Sequence, residues 1–239
     1  MIGVILAAGM AKRLRPLTNE RPKCLLEISG KSFLARSIDS LVQSGIKEFV
    51  IITGYLGEMI RHFITANYPE YTFHFKDNVD YATTNNIYSL WLTREFVDGK
   101  DFLLLDSDII YDPQLVKTMA SQPQPALAVN RHELGEEEMK VVVNDRQEII
   151  EINKTCDPQR ALGESVGVER VTPAYSKALF EELEVMIEKE KLVDIFYEKA
   201  FERLIPLGQT FTVVDTTELF SIEVDTPEDY EQLKNSFNG

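Results

Sequence analysis

Apolar positions in the first half of the chain come in short, nearly unbroken runs separated by helical patterns. Residues 2–8 (I-G-V-I-L-A-A), 49–53 (F-V-I-I-T) and 102–105 (F-L-L-L) are runs of this kind, and they predict strands buried on both faces. T-F-H-F at 72–75 alternates and predicts a further strand. Between the strands, Phe33, Leu34, Ile38, Leu41 and Val42 fall at helical spacing, with Gly45 as a stop. Met59, Ile60, Phe63 and Ile64 mark a second helix. Ile87, Leu90, Trp91 and Phe96 mark one face of a third, with Trp91 as a core residue. Strands alternating with helices in this way predict an α/β fold: a central, mostly parallel (mixed) sheet flanked by helices.

The pattern changes after about residue 130. K-V-V-V-N-D-R-Q-E-I-I-E-I at 140–152 predicts a hairpin turning near 144–147, followed by a strand at 167–171. Helices follow at about 173–190 and 194–204, then strands at 211–214 and 220–224. The last helix has a clear start, with Thr226 as N-cap, Pro227 at the first helical position and Asp229 three residues after the cap. No repeat, low-complexity tract or long linker interrupts the chain, so a single domain is expected over residues 1–239, with a small β-rich, lid-like portion in its second half.

Charge narrows the functional classes. Among 239 residues, 39 Asp and Glu outnumber 25 Lys and Arg, giving −14. That balance argues against a nucleic-acid backbone as the main partner. Cys24 and Cys156 form neither a disulfide framework nor a C-x-x-C pair. No apolar stretch approaches the roughly 20 residues of a membrane span, and the N-terminus lacks a basic segment before its apolar run. The expectation is a cytoplasmic protein with no membrane insertion. The charge is uneven, however. Between Met10 and Leu25, Lys12, Arg13, Arg15, Arg21 and Lys23 face one acid, Glu20, whereas residues 206–239 hold seven acids and one base. The acidic tail reads mostly as a solvated helix face. Five cations in one loop after a buried strand predict an anion site.

In open α/β sheets, ligands bind beyond the carboxyl ends of the strands. Gly9, in L-A-A-G-M-A-K-R-L, ends the first strand. The small residues there let backbone N–H groups approach an anion while Lys12 and Arg13 add charge, although neither a Walker loop nor a G-x-G-x-x-G is present. Asp106 and Asp108 leave the strand at 102–105, and Glu223 and Asp225 precede the capped helix. Carboxylates from two strand ends suit one hard, hydrated cation such as Mg²⁺. The same acids also fit a turn cap and a helix start.

The segment L-A-A-G-x-x-x-R-L-x-P-L-T-x-x-x-P-K-x-L, from Leu6 to Leu25, resembles the signature of the sugar-phosphate nucleotidyltransferase superfamily. The resemblance continues through G-Y-L at 54–56, N-N-I-Y-S-L at 85–90, D-S-D at 106–108, G-E-S-V-G-V at 163–168, V-D-I-F-Y at 193–197 and E-V-D-T-P-E-D-Y at 223–230. One position departs: Ala11 stands where the family usually carries Gly or Ser. The resemblance implies a Rossmann-like nucleotidyltransferase fold, with a nucleotide-binding half at 1–130 and an acceptor-binding half at 131–239. It implies that Leu6, Ala8 and Gly9 line the base and ribose site, with Lys12, Tyr81 and Asn85 also on the nucleotide. Arg13 would hold the leaving phosphates, and Lys23 would bridge the α-phosphate and the acceptor phosphate. Asp108 and Asp225 would hold Mg²⁺. No protein nucleophile is needed, because the acceptor's own phosphate oxygen attacks.

The stretch Y81-A-T-T-N-N-I-Y-S-L resembles the cytidylyltransferase branch that activates phosphocholine, 2-aminoethylphosphonate or inositol phosphate. The implied partners are CTP and a small phosphate or phosphonate acceptor. Whether two copies pair as a homodimer stays open. Asn86, Glu164, Glu169, Asp194 and Tyr197 are the acceptor candidates, although Asn85 and Asn86 also fit simple caps of the helix that follows. Phosphocholine enzymes of this type place a tryptophan in the first hairpin strand, where this chain has Glu137, Glu138, Met139 and Lys140. That departure makes 2-aminoethylphosphonate, a primary amine that needs carboxylates more than aromatic faces, a close rival to phosphocholine. A sugar-1-phosphate nucleotidylyltransferase is the second reading. A non-catalytic relative is the third, and it conflicts with the presence of Lys23, Asp108 and Asp225.

Overall fold

The computed structural model describes residues 1–238; Gly239, the last residue of the expected domain, lies outside them. The all-apolar runs become the centre of a sheet. In chain order the elements begin with β1 (Ile2–Ala7), a small hairpin β2 (Glu27–Ile28) and β3 (Lys31–Ser32), α1 (Phe33–Gln43), β4 (Glu48–Thr53), α2 (Gly57–Asn67) and β5 (Thr72–Asp77). There follow α3 (Asn86–Trp91), α4 (Arg94–Val97), β6 (Phe102–Asp106), β7 (Ile109–Tyr111), α5 (Pro113–Ala120) and β8 (Ala126–Asn130). The second half contains β9 (Lys140–Val143), β10 (Ile149–Asn153), β11 (Gly163–Val171), α6 (Pro173–Glu184), α7 (Glu198–Leu204), β12 (Thr212–Asp215), β13 (Ser221–Glu223) and α8 (Pro227–Asn238).

Nine strands form one mixed sheet in the order β10-β9-β11-β6-β1-β4-β5, with β8 pairing β11 and β12. β6, β1, β4 and β5 run parallel, and β11 joins β6 antiparallel. Side chains alternate between the faces, as the twofold strand period requires. Val4, Leu6, Val50, Ile52 and Leu104 pack with Ile87, Leu90, Tyr175 and Phe201 on one side. Ile5, Ile51, Leu103 and Leu105 pack with Leu34, Ile38, Leu41 and Ile60 on the other. This double burial is why the central strands carry no polar alternation.

Several boundaries differ from the sequence pattern. The expected helix at 173–190 is α6 followed by a π turn, Val185–Lys189. The helix expected from 194 begins only at Glu198. The pattern through Ile87 and Phe96 is two helices, broken where Thr93 turns its hydroxyl back onto the Leu90 carbonyl at 2.7 Å. The strand expected from 167 starts four residues earlier. Three elements between residues 109 and 130 (β7, α5 and β8) are only three, eight and five residues long, too short for a period to show.

Candidate active site

β1 ends in a turn that its neighbours build. Ala8 accepts a hydrogen bond from Tyr55 N at 3.0 Å. Gly54 lies so close that a Cβ there would sit 2.7 Å from the Ala8 carbonyl oxygen. The G-Y-L segment therefore clamps the loop after β1 from behind. The Tyr55 hydroxyl contacts the carbonyls of Thr18 and Asn19 at 2.9 and 2.8 Å, and Thr18 Oγ1 donates to the Ala11 carbonyl at 2.9 Å. Ala11 adopts a left-handed conformation, φ 44° and ψ 54°. Glycine reaches that region without steric cost, whereas the Ala11 methyl does not.

The second strand end is carried by β6 through Asp106, Ser107 and Asp108. Antiparallel pairing of β13 with β7 sets Glu223 opposite Ile109, and Val224 N donates to the Asp108 carbonyl at 3.3 Å. Asp225 is fixed from the other side by the capping box of α8. Asp229 N donates to Thr226 Oγ1 at 3.2 Å, while Asp229 Oδ2 accepts from the amides of Thr226 and Asp225 at 2.8 and 3.1 Å. The cap that the sequence announced thus doubles as the mount for Asp225.

These pieces meet on Lys23. Its Nζ donates to Asp108 Oδ2 at 3.0 Å and to Asp225 Oδ1 at 2.9 Å, and the residue is only 8% exposed. Burial alone would lower the ammonium's pKa, but Asp108 and Asp225 outweigh it and hold the pKa above the usual lysine value. Arg13 donates to Asp225 Oδ2 at 2.5 Å, a pair that the sequence did not reveal. Burial opposes ionisation of Asp225, yet Lys23 and Arg13 pull its pKa down. Glu223 opens onto the cleft, but the protein around its carboxyl, with repulsion from Asp108 and Asp225, pushes its pKa up to about 8. Ligand oxygens of Asp108, Glu223 and Asp225 all lie within 4.8 Å of one another. An all-oxygen set of this size suits a hard divalent cation. Cys24, next to Lys23, is no nucleophile, because burial pushes its thiol up to about 12.

Lys23, Cys24, Arg13, Asp108, Glu223 and Asp225 line one cleft of about 980 Å³. Leu6, Ala8, Gly9, Lys12, Arg13, Lys23, Tyr81, Asn85, Asn86, Asp108, Glu164 and Asp225 reach its wall, so the structure brings together these sequence candidates. Of the five loop cations, Lys12, Arg13 and Lys23 face the cleft, whereas Arg21 turns to Glu27 at 3.6 Å. The Asn85 side chain caps α3 through the Asn86 amide at 2.8 Å.

Three acceptor candidates do not line the cleft. Glu169 and Tyr197 are fully buried beneath the cleft floor, and neither reaches its wall. The Tyr197 hydroxyl donates to Asp106 Oδ2 at 3.0 Å and lies 3.4 Å from Glu169 Oε1, so these residues support the D-S-D turn from below. Asp194 is exposed and does not line the cleft: it sits in a bend at 194–195, and α7 starts only at Glu198. Asn86 binds that segment directly, with Tyr197 N donating to Asn86 Oδ1 at 2.9 Å. Trp91 is half-buried against the core with Arg94 over its ring, so it lines no aromatic cage. The sequence reading missed Glu198, a buried acid on the cleft wall. In sequence it looks like an ordinary first-turn helix acid, and only its tertiary position sets it apart.

A mixed sheet with a parallel centre, a cation-rich loop after its first strand and paired acids after a neighbouring strand defines a phosphate-handling α/β protein. Residues 2–149 match the nucleotidyl transferase family, and the chain belongs to it. The CMP-5'-(3-aminopropyl)phosphonate synthase of Streptomyces rubellomurinus is 27% identical over 98% of this chain, which spans 38% of that protein. The UTP–glucose-1-phosphate uridylyltransferase of Haloferax volcanii is also 27% identical, over 98% of this chain and 95% of its own. Against relatives of cytidylyltransferase type, the chain matches between 38% and 53% of their length. Among solved structures, the CTP:phosphocholine cytidylyltransferase of Streptococcus pneumoniae shares the fold, with a TM-score of 0.83, 23% identity and 98% of each chain covered. No helix among the described residues is long and apolar enough to cross a membrane.

Proposed function

We propose that this chain transfers CMP from CTP to a small phosphate or phosphonate acceptor, phosphocholine or 2-aminoethylphosphonate, releasing pyrophosphate. The observation that carries this reading is the convergence of Lys23, Arg13, Asp108 and Asp225 at the mouth of the cation-rich loop. An acceptor phosphate oxygen attacks the α-phosphorus, and the bond to the bridging oxygen of pyrophosphate breaks. Lys23 neutralises the crowded phosphates, and Arg13 receives charge on the departing pyrophosphate. Leu6, Ala8 and Gly9 hold the nucleoside against the loop, with Tyr81 and Asn85 nearby. Asp108 and Asp225, joined by Glu223, are the residues that would hold Mg²⁺, which when bound offsets negative charge on the transferred phosphate. Catalysis here is positioning plus charge stabilisation.

The wall contributed after residue 130 carries Glu137, Glu138, Glu164 and Glu198, a lining that favours a cationic acceptor. The similarity to a uridylyltransferase along nearly its whole length supports the competing reading, a sugar-1-phosphate acceptor with UTP. Pyrophosphate release separates the two, with CTP, UTP, dTTP or ATP each offered against phosphocholine, 2-aminoethylphosphonate, inositol-1-phosphate and glucose-1-phosphate. Turnover is expected with CTP and a cationic acceptor. Turnover with UTP or dTTP and a hexose phosphate, but not with CTP, overturns the proposal. In the same assay Lys23→Ala is expected to lower kcat by roughly 10²–10³-fold, the usual loss for one transition-state charge partner. A near-normal rate refutes its assigned role.

A further inference from the structure

Most charged groups on the acceptor side of the cleft already have partners. His132 Nε2 lies 2.8 Å from Glu164 Oε2. The Lys154 ammonium bonds Glu137 at 3.4 Å and rests over the Phe196 ring, 4.8 Å from its centroid. Among the described cleft residues two carboxylate oxygens are buried without a hydrogen-bond partner, Glu138 Oε2 on a half-buried residue and Glu198 Oε2, and Glu198 is the more deeply buried of the two. It is 94% buried by its 6% exposure, it forms part of the cleft wall, and its Oε2 has no hydrogen-bond partner. Lys154 is near enough to act on it electrostatically, but makes no bond to that oxygen. Asp106 and Glu169 lie close by, and their charges repel that of Glu198. A buried carboxylate oxygen without a donor costs stability until a ligand supplies one.

We propose that Glu198 is the anchor for a primary ammonium group at the far end of the acceptor. This rests on the reading that the acceptor's phosphate lies at Lys23 and the paired aspartates. A primary ammonium brings three N–H donors, and one of them completes Glu198 Oε2. A quaternary ammonium has none and depends on aromatic faces. The aromatic side chains among the described cleft residues are Tyr81 and Phe196, and Phe196 already carries Lys154. The orphan oxygen therefore selects a primary amine over a trimethylammonium of the same length.

Three ligands differing only in the head group test this: ethyl phosphate, phosphoethanolamine and phosphocholine. Each is titrated calorimetrically into the full chain with Mg²⁺, and again into Glu198→Gln, which keeps the side-chain shape. Thermal melts verify that the variant is folded. Wild type is expected to bind phosphoethanolamine at least tenfold more tightly than ethyl phosphate, and more tightly than phosphocholine. Glu198→Gln should bring phosphoethanolamine down to the level of ethyl phosphate while ethyl phosphate itself is unchanged. Equal binding of the three ligands by wild type, no binding of any, or a preference that survives in the variant each overturns the assignment. Failure of the nucleotidyl-transfer reading has a different signature: no pyrophosphate release with any nucleotide, while the ammonium preference in binding persists.

Discussion

At the scale of single residues, the sequence is most informative where backbone conformation and charge coincide. Gly9, Arg13 and Lys23 stand out because small, cationic and proline positions alternate in one loop. Their partners, Asp108 and Asp225, stand out because carboxylates directly follow buried strands. What the sequence does not show is which side of the backbone a residue takes. Asp194, Tyr197 and Glu198 lie within five positions, yet one faces solvent, one lies under the floor and one lines the cleft. The bend at 194–195 and the turn at Tyr197 before α7 decide this, and no periodicity marks them. Ala11 is a local exception to the otherwise consistent loop, since its φ of 44° is a conformation that costs an L-residue roughly 1–2 kcal/mol. Ala11→Gly relieves that cost while adding unfolded-chain entropy, worth about 0.5–1 kcal/mol in the opposite direction. The unfolding free energy measured in urea should therefore stay level or rise by up to about 1.5 kcal/mol. A clear loss of stability would mean that the methyl group contributes packing the backbone geometry does not reveal.

At the scale of elements, the runs at 2–8, 49–53 and 102–105 are legible because both their faces are buried. β11 is legible only in part, and its glycine explains why. The strand first pairs with β9 at Gly163 and Glu164, then with β6 from Val168 onward, and its register against β8 shifts between Ser165 and Glu169. Gly167 sits inside that irregularity with φ +69°, and a Cβ there would meet Asp106 Oδ2 at 2.8 Å. A bulge of this kind redirects a strand at a site and favours glycine where φ is positive. The pattern V-G-V alone reads as plain strand, so the bend stays hidden until tertiary contacts are known. Gly167→Ala should cost about 1–3 kcal/mol in denaturant unfolding, from left-handed strain plus overpacking against Asp106. Because Asp106 is also held by Tyr197, kcat should fall together with stability. A variant with wild-type stability and rate would show that the bulge does not hold the D-S-D turn in place.

At the scale of the whole molecule, the charge of −14 is not a uniform acidic coat. Part of it is concentrated in carboxyls that the fold holds at raised pKa. Burial pushes Glu198 up to about 7 and Glu169 upward as well, while Glu223 stands at about 8 among Asp108 and Asp225. A carboxyl that binds its proton more tightly when folded stabilises the native state at low pH. That contribution is complete below the unfolded value near 4.5 and is lost as pH rises through about 7 and 8. His132 works in the same direction. Burial opposes its charge, but the Glu133 carbonyl and Glu164 raise its pKa above 6.5, so its contribution also fades as pH rises through the folded value. The carboxyls with lowered pKa (Asp77, Glu190, Asp215, Asp225 and Asp229) lose their contribution only when pH falls below 3.8, or 4.5 for Glu190, outside this range. Growing net negative charge at high pH adds self-repulsion. Melting curves of chelator-treated protein should therefore show Tm falling by roughly 3–8 °C between pH 5.5 and pH 8, given about 2–4 °C per kcal/mol for a chain of this size. Glu198→Gln should flatten the part of that slope between about pH 5 and 7, because Gln has no proton to lose. A Tm that is flat or rises across the same range would mean that these carboxyls ionise inside the fold as freely as outside it, and that the cleft is far wetter than its geometry implies.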